Sequence, residues 1–257
     1  MFLTDKSPAK SRNKEELSGL ADIIRLDGSR CPYPPSASVL TAVQDCADSS
    51  LREKPKSAEL AEAAAELFGV SAENVCLCCC PAAAYAQNFA GISDRSAVLR
   101  PERPKIPENE VFLYDLGRCF GLFGVNAWAL IASAENARRL RAVCEKLRAG
   151  APDKAASAAV LAAVKDNGSA ETWRTMEETT LRRTAGILRR LGFWTEAGEG
   201  PFLDIKTPEF QRLCCELLLC GIVVDSGEGY IRIWAGTDEE MERLYYCLSR
   251  IKERSFS

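Results

Sequence analysis

Twelve cysteines and no histidine set the terms for any chemistry in this chain. Four of the cysteines, Cys76, Cys78, Cys79 and Cys80, crowd one stretch. Neighbouring thiols can hold a metal or exchange disulfides. Zinc ribbons pair two Cys-x-x-Cys spacings, and other zinc sites commonly use histidine; this cluster lacks that pairing and the chain has no histidine, so no metal is expected. The competing reading is packing, because free cysteine is a small, often buried apolar side chain. Cys144 and Cys247 in helical patterns, and Cys214, Cys215 and Cys220 around a leucine-rich segment, sit where such a residue serves. A second group is Gly117-Arg118-Cys119-Phe120-Gly121-Leu122-Phe123-Gly124, a run with three glycines that could bring backbone close to a ligand or simply turn the chain. Its charged member is Arg118. A third candidate is Arg232, in the alternating run Tyr230 to Trp234. A guanidinium there can grip a carboxylate or phosphate with two parallel N–H bonds, or can face solvent.

These residues need elements to position them. Val111 to Leu116 and the apolar run ending near Ala132 read as buried strands flanking the glycine loop. Leu26 to Ser36 is proline-rich and therefore extended. Helices are expected from Lys14 to Ile24, from Ser36 or Ser38 to Ser50, and from Ser57 to Phe68, where Gly69 ends the last of these. Further helices are expected over Pro81–Phe89, Ala134–Leu147, Lys154–Val164, Ala170–Leu191, Pro208–Cys220 and Asp238–Lys252. Strands are expected over Phe202–Lys206, Ile222–Val224 and Tyr230–Trp234. Alternating helices and strands after Ser133 imply a small α/β domain.

Composition excludes several function classes. A net charge of −3 gives no electrostatic footprint for nucleic acid, and there is no polybasic segment for a membrane surface. The uncharged stretches Val75–Ser93 and Cys119–Ala134 are broken by Pro81, Asn126 and glycines, so neither suits a membrane span. With a polar, charged start after Leu3 and no secretory pattern, a cytoplasmic protein is expected. Residues 1–13 read as a polar, mobile stretch.

The Val111–Ala132 segment resembles the lysine-bearing loop of fold-type I pyridoxal-phosphate enzymes, in the histidinol-phosphate aminotransferase and threonine-phosphate decarboxylase branch. There a strand is followed by Ser-Lys-x-Phe-Gly-Leu-x-Gly-x-Arg. The resemblance extends to Leu26, Asp27, Pro32, Tyr33, Pro35 and Ser36, which match an opening that folds over the active site. It also covers Gly69-Val70-Ser71-Ala72-Glu73-Asn74-Val75, the lead-in to a strand, and the C-terminal run from Gly221 through Thr237.

On this resemblance the chain is a shortened, degenerate relative, of mixed α/β class, with the central strands of the large domain deleted and the small C-terminal α/β domain complete. The implied division is a leader over 1–25, a large-domain remnant over 26–132, and connecting helices with the small domain over 133–257. Arg118 takes the lysine position, and arginine cannot form a Schiff base, since a guanidinium stays protonated. The phosphate-holding positions fall on Cys79 and Cys80, where Pro81 removes a donor, and the second phosphate ligand falls on Asn126. Lys54 replaces a tyrosine that crosses the dimer to the cofactor. The interval Gly91–Glu110 is too short for the block that pairs with the pyridine nitrogen. Arg232 and Tyr33 keep the substrate-binding positions.

The resemblance thus implies pyridoxal phosphate as the ancestral cofactor, none bound covalently here, no catalytic residue, and a homodimer or an active paralogue as partner. Nucleic acid and membrane are not expected as partners. Two further readings stand beside it. One is a residual transaminase or decarboxylase on a phosphorylated amino acid; the other is a metal or redox module built on Cys76–Cys80.

Overall fold

The computed structural model describes residues 23–50, 57–86, 89, 91–95, 105–106, 108–198 and 200–255. The expected leader, apart from its last residues, and Lys54 lie outside them. So does most of the expected Lys14–Ile24 helix, whose last residue instead begins a strand.

The first sheet has the order β2-β5-β4-β3, from β2 (Val75–Cys78), β3 (Gly91–Asp94), β4 (Glu110–Asp115) and β5 (Trp128–Ile131). β5 runs antiparallel to β2 and β4, placing both Cys78 and Asp115 opposite Trp128. The chain therefore leaves β2 and β4 at the same edge. Strand alternation divides the side chains between two faces. Val75, Leu77, Phe112, Tyr114, Ala129 and Ile131 share one core with α1 (Ala37–Ser50), α2 (Ser57–Phe68) and α6 (Lys154–Lys165). The Phe68 and Tyr114 rings meet there at 4.4 Å. Cys76, Cys78, Val111, Leu113 and Leu130 pack the other way, against α3 (Ala82–Tyr85) and α5 (Ala134–Lys146). Cover on both faces is why these strands are apolar throughout.

The second sheet has the order β1-β8-β9-β7-β6. Its strands are β1 (Ile24–Leu26), β6 (Trp194–Ala197), β7 (Phe202–Lys206), β8 (Ile222–Gly227) and β9 (Tyr230–Trp234). Leu26, Leu203, Ile205, Ile222, Ile231 and Ile233 face a core shared with α8 (Phe210–Leu219), α9 (Asp238–Ser255) and the end of α7 (Asn167–Arg190). The first turns of α7 pack on the first core through Ala170 and Trp173. This 24-residue helix thus joins the two lobes.

Several expectations are corrected. The helix expected over Pro81–Phe89 is described only as Ala82–Tyr85. The glycine loop contains a helical turn, α4 (Leu116–Cys119), because the Asp115 carboxylate accepts the Arg118 N–H at 3.0 Å and caps it. Strands β1, β3 and β6 were not expected; β3 opens the interval read as polar. Beyond these corrections, α5 and α6, which fall among the expected connecting helices, pack on the first sheet.

Candidate functional site

The loop leaving β4 meets the outer face of the second sheet, where Arg118 is held. Its Nη2 donates to the Gly28 carbonyl at 3.1 Å. Its guanidinium carbon lies over the Phe123 ring (5.0 Å) and over the Trp234 ring (5.2 Å). A cation over an aromatic face is drawn to the ring quadrupole, so both rings help to hold the side chain. Gly28 has φ +69°, and a Cβ there would run into the Trp234 indole. Gly117 is equally constrained, since a Cβ would strike the Val125 and Leu122 carbonyls. The glycines thus serve close packing around Arg118.

The stack continues across the sheet. Trp234 lies opposite Phe202, with ring centroids 5.1 Å apart. Phe202 in turn carries the Arg232 guanidinium at 3.9 Å. Arg118 and Arg232, far apart in sequence, therefore belong to one run of rings and cations, Phe123, Arg118, Trp234, Phe202 and Arg232. Arg232, however, is engaged by its cross-strand neighbour: Nε donates to Asp204 Oδ1 at 2.8 Å and Nη2 to Oδ2 at 3.1 Å. That fork is the geometry an incoming carboxylate would require. Tyr33 lies beside Cys31 and Glu177, bonded to the Thr180 side chain on α7, and burial pushes its phenol up.

Behind Arg118 is a buried cluster that the sequence reading missed. Arg118, Cys31, Cys119, Trp173, Arg174 and Glu177 line a cavity of about 10 Å³, room for roughly one water. Arg174 donates to the Cys119 carbonyl at 2.9 Å and to Glu171 at 3.1 Å, while its Nε is buried with no partner among the described residues. Burial pushes the Glu177 carboxyl up to about 7, against the pull of Arg174. Burial likewise pushes the Cys31 thiol to about 11 and the Cys119 thiol to about 12, so neither is an available nucleophile at neutral pH. The spacing of Ala170, Arg174, Glu177 and Leu181 on one helical face was the signal for this cluster.

The remaining expected residues do not build an anion site. The Cys79 N–H already donates to the Gly150 carbonyl at 2.9 Å, Pro81 has no N–H, and Cys80 and Asn126 are exposed. Lys105 is also exposed. Of the positions expected for the cofactor, Cys79 and Pro81 offer no free N–H, and Arg118 is already engaged by Gly28, Phe123 and Trp234. Among the described residues no group of three or more His, Cys, Asp or Glu could hold a metal, and no helix is long and apolar enough to cross a membrane.

No protein-family model matches the chain, and no curated protein matches it. Solved structures do. The histidinol-phosphate aminotransferase from Sinorhizobium meliloti, in complex with pyridoxal-5'-phosphate, is similar over 97% of this chain and 96% of its own, with a TM-score of 0.77 and 15% identity. Aspartate aminotransferase from Thermus thermophilus with maleate is similar over 92% and 94%, with a TM-score of 0.71 and 15% identity. A tetra mutant of that enzyme complexed with tryptophan covers 98% and 100%, with a TM-score of 0.74 and 14% identity. The chain has the fold of the fold-type I aminotransferases, and at these identities the likeness is one of fold.

Proposed function

We propose that this chain is an aminotransferase-like protein that carries out no pyridoxal-phosphate chemistry and acts through protein–protein contact, as a homodimer or as the partner of an active paralogue. The observation that carries the proposal is the clasp around Arg118. A side chain held against Phe123 and Trp234 and bonded to Gly28 ties the first lobe to the second. It occupies the lysine position with a group that cannot condense with an aldehyde. The carboxylate grip that maleate would use is taken by Asp204. A contact role is supported by large apolar side chains left in solvent beside the junction of α8 and α9, where Leu219 is 88% and Tyr246 61% exposed.

The test is addition of pyridoxal phosphate to the purified chain, followed by borohydride. We expect no visible band that disappears on reduction and no lysine carrying the reduced cofactor. One lysine labelled stoichiometrically would overturn the proposal. Light scattering reads the contact role: assembly that Leu219→Glu and Tyr246→Glu abolish is the expected result.

A further inference from the structure

The cysteines of β2 and its exit do not act as one group. Alternation sends Cys76 and Cys78 toward α5, while Cys79 is half-buried and Cys80 exposed. On α5, Cys144 meets that pair. Its Sγ lies 3.8 Å from Cys76 Sγ, and Cys78 is hydrogen-bonded to it as well. All three thiols are free. Cys144 also lines a cleft of about 340 Å³ with Val75, Leu77, Arg141 and Gly150. One member of a buried thiol trio is thus set in the wall of a cleft large enough for a small oxidant.

The three sulfurs are not equivalent. Cys76 and Cys78 both share a hydrogen bond with the Cys144 sulfur, and that contact lowers the pKa of the Cys144 thiol and raises their own. Arg141 donates to the Val75 carbonyl at 2.7 Å, placing a cation beside the trio. Cys144 stands in the last turn of α5, where unsatisfied carbonyls would oppose an anion. Those carbonyls are satisfied: Ala149 N–H donates to Cys144 O and Leu147 N–H to Val143 O.

We infer that Cys144 is an oxidation site for hydroperoxides, with Cys76 or Cys78 as the thiol that closes a disulfide onto it. The Cys144 thiol gives up its proton as its sulfur attacks the terminal peroxide oxygen; the S–O bond forms, the O–O bond breaks, and the alkoxide or hydroxide leaves and takes up that proton. The sulfur is oxidised to sulfenic acid and the peroxide is reduced. The Cys76 thiol then attacks the Cys144 sulfur, forming the S–S bond and breaking S–O, and its proton leaves with the hydroxyl as water. Closing the link brings the two sulfurs from 3.8 Å to about 2.05 Å. The link would tie β2 to α5 across the core.

The experiment treats the full chain with stoichiometric hydrogen peroxide and maps peptides without reductant. The expected result is loss of the Cys144 thiol and one strand thiol together, one for one, in a Cys76–Cys144 or Cys78–Cys144 link that dithiothreitol reverses. In the Cys76→Ala/Cys78→Ala double variant, dimedone should capture Cys144. Finding Cys144 still reduced while the exposed Cys80 and Cys215 are oxidised would overturn the inference, and the wild-type map decides this without any variant.

Discussion

Replacing Arg118 by alanine tests the clasp directly. The guanidinium contributes two ring contacts, at 5.0 and 5.2 Å, and one charge-assisted hydrogen bond to Gly28 at 3.1 Å. A half-buried cation over a ring is worth about 0.5–1 kcal/mol. A hydrogen bond from a charged group is worth about 1.5–3 kcal/mol. Against this, the long side chain regains up to about 2 kcal/mol of rotamer entropy when it is removed. The net expectation is a destabilisation of about 0.5–3 kcal/mol for Arg118→Ala. Arg118→Met, which keeps apolar bulk against the rings, should fall roughly midway. Urea unfolding followed by tryptophan fluorescence measures both quantities at once, because Trp234 lies under the guanidinium. Emission should change in the native state before any unfolding begins. A midpoint shift equivalent to less than about 0.5 kcal/mol, with native emission unchanged, would refute the clasp, since surface substitutions fall in that range.

Three other expectations follow from the same region. Glu177 titrates at about 7 in the folded chain against an ordinary 4.5, so the native state holds the extra proton between those values. Its contribution to stability is full below about 4.5 and lost as pH rises through about 7, by roughly 3 kcal/mol, and Glu177→Gln should flatten that slope in denaturation curves taken across the range. Gly28→Ala should cost at least about 1–2 kcal/mol from the left-handed backbone alone, and more because the new Cβ meets Trp234; a chemical denaturation midpoint equal to wild type would contradict the packing described. Asp204→Ala should cost about 1–3 kcal/mol and release Arg232, so that maleate raises the melting temperature of the variant and leaves wild type unmoved.

Much of the fold was legible because local pattern and tertiary role agree. Ser57–Phe68, Phe202–Lys206 and Tyr230–Trp234 carry periodicities that match the faces they bury, and the structure places them at those residues. The strands that escaped notice are short and depend on distant partners. Ile24–Leu26 has three residues and is a strand only because Ile222–Val224 lies beside it. Trp194–Ala197 is an edge strand whose tryptophan is 71% exposed, so alternation says little. The site divides in the same way. That residue 118 is an arginine is plain from the sequence, but its acceptor is 90 residues earlier and one of its rings is in the last strand. Cys144 reads as a helix-packing residue until β2, 68 residues before, is folded against it.

Restoring the missing amine should not restore the chemistry, and this separates the loss of one residue from the loss of a site. Arg118→Lys supplies a group that could condense with an aldehyde. It does not release the Cys79 N–H from the Gly150 carbonyl or give Pro81 a donor, so the phosphate of pyridoxal phosphate would still meet a surface without its anchors. Nor does it enlarge the cavity of about 10 Å³ bounded by Cys31, Trp173 and Glu177. Lysine also lacks the planar face that stacks on Phe123 and Trp234, so the variant should lose about 1 kcal/mol of stability without gaining a function. Incubation with pyridoxal phosphate and borohydride, followed by peptide mapping, should find no more label at position 118 of the variant than at exposed lysines such as Lys105. Selective labelling of the introduced amine would mean that the phosphate-holding positions still work and that a single codon separates this chain from a cofactor-binding one. Equal, weak labelling is the expected result and agrees with the proposal that this chain carries out no pyridoxal-phosphate chemistry.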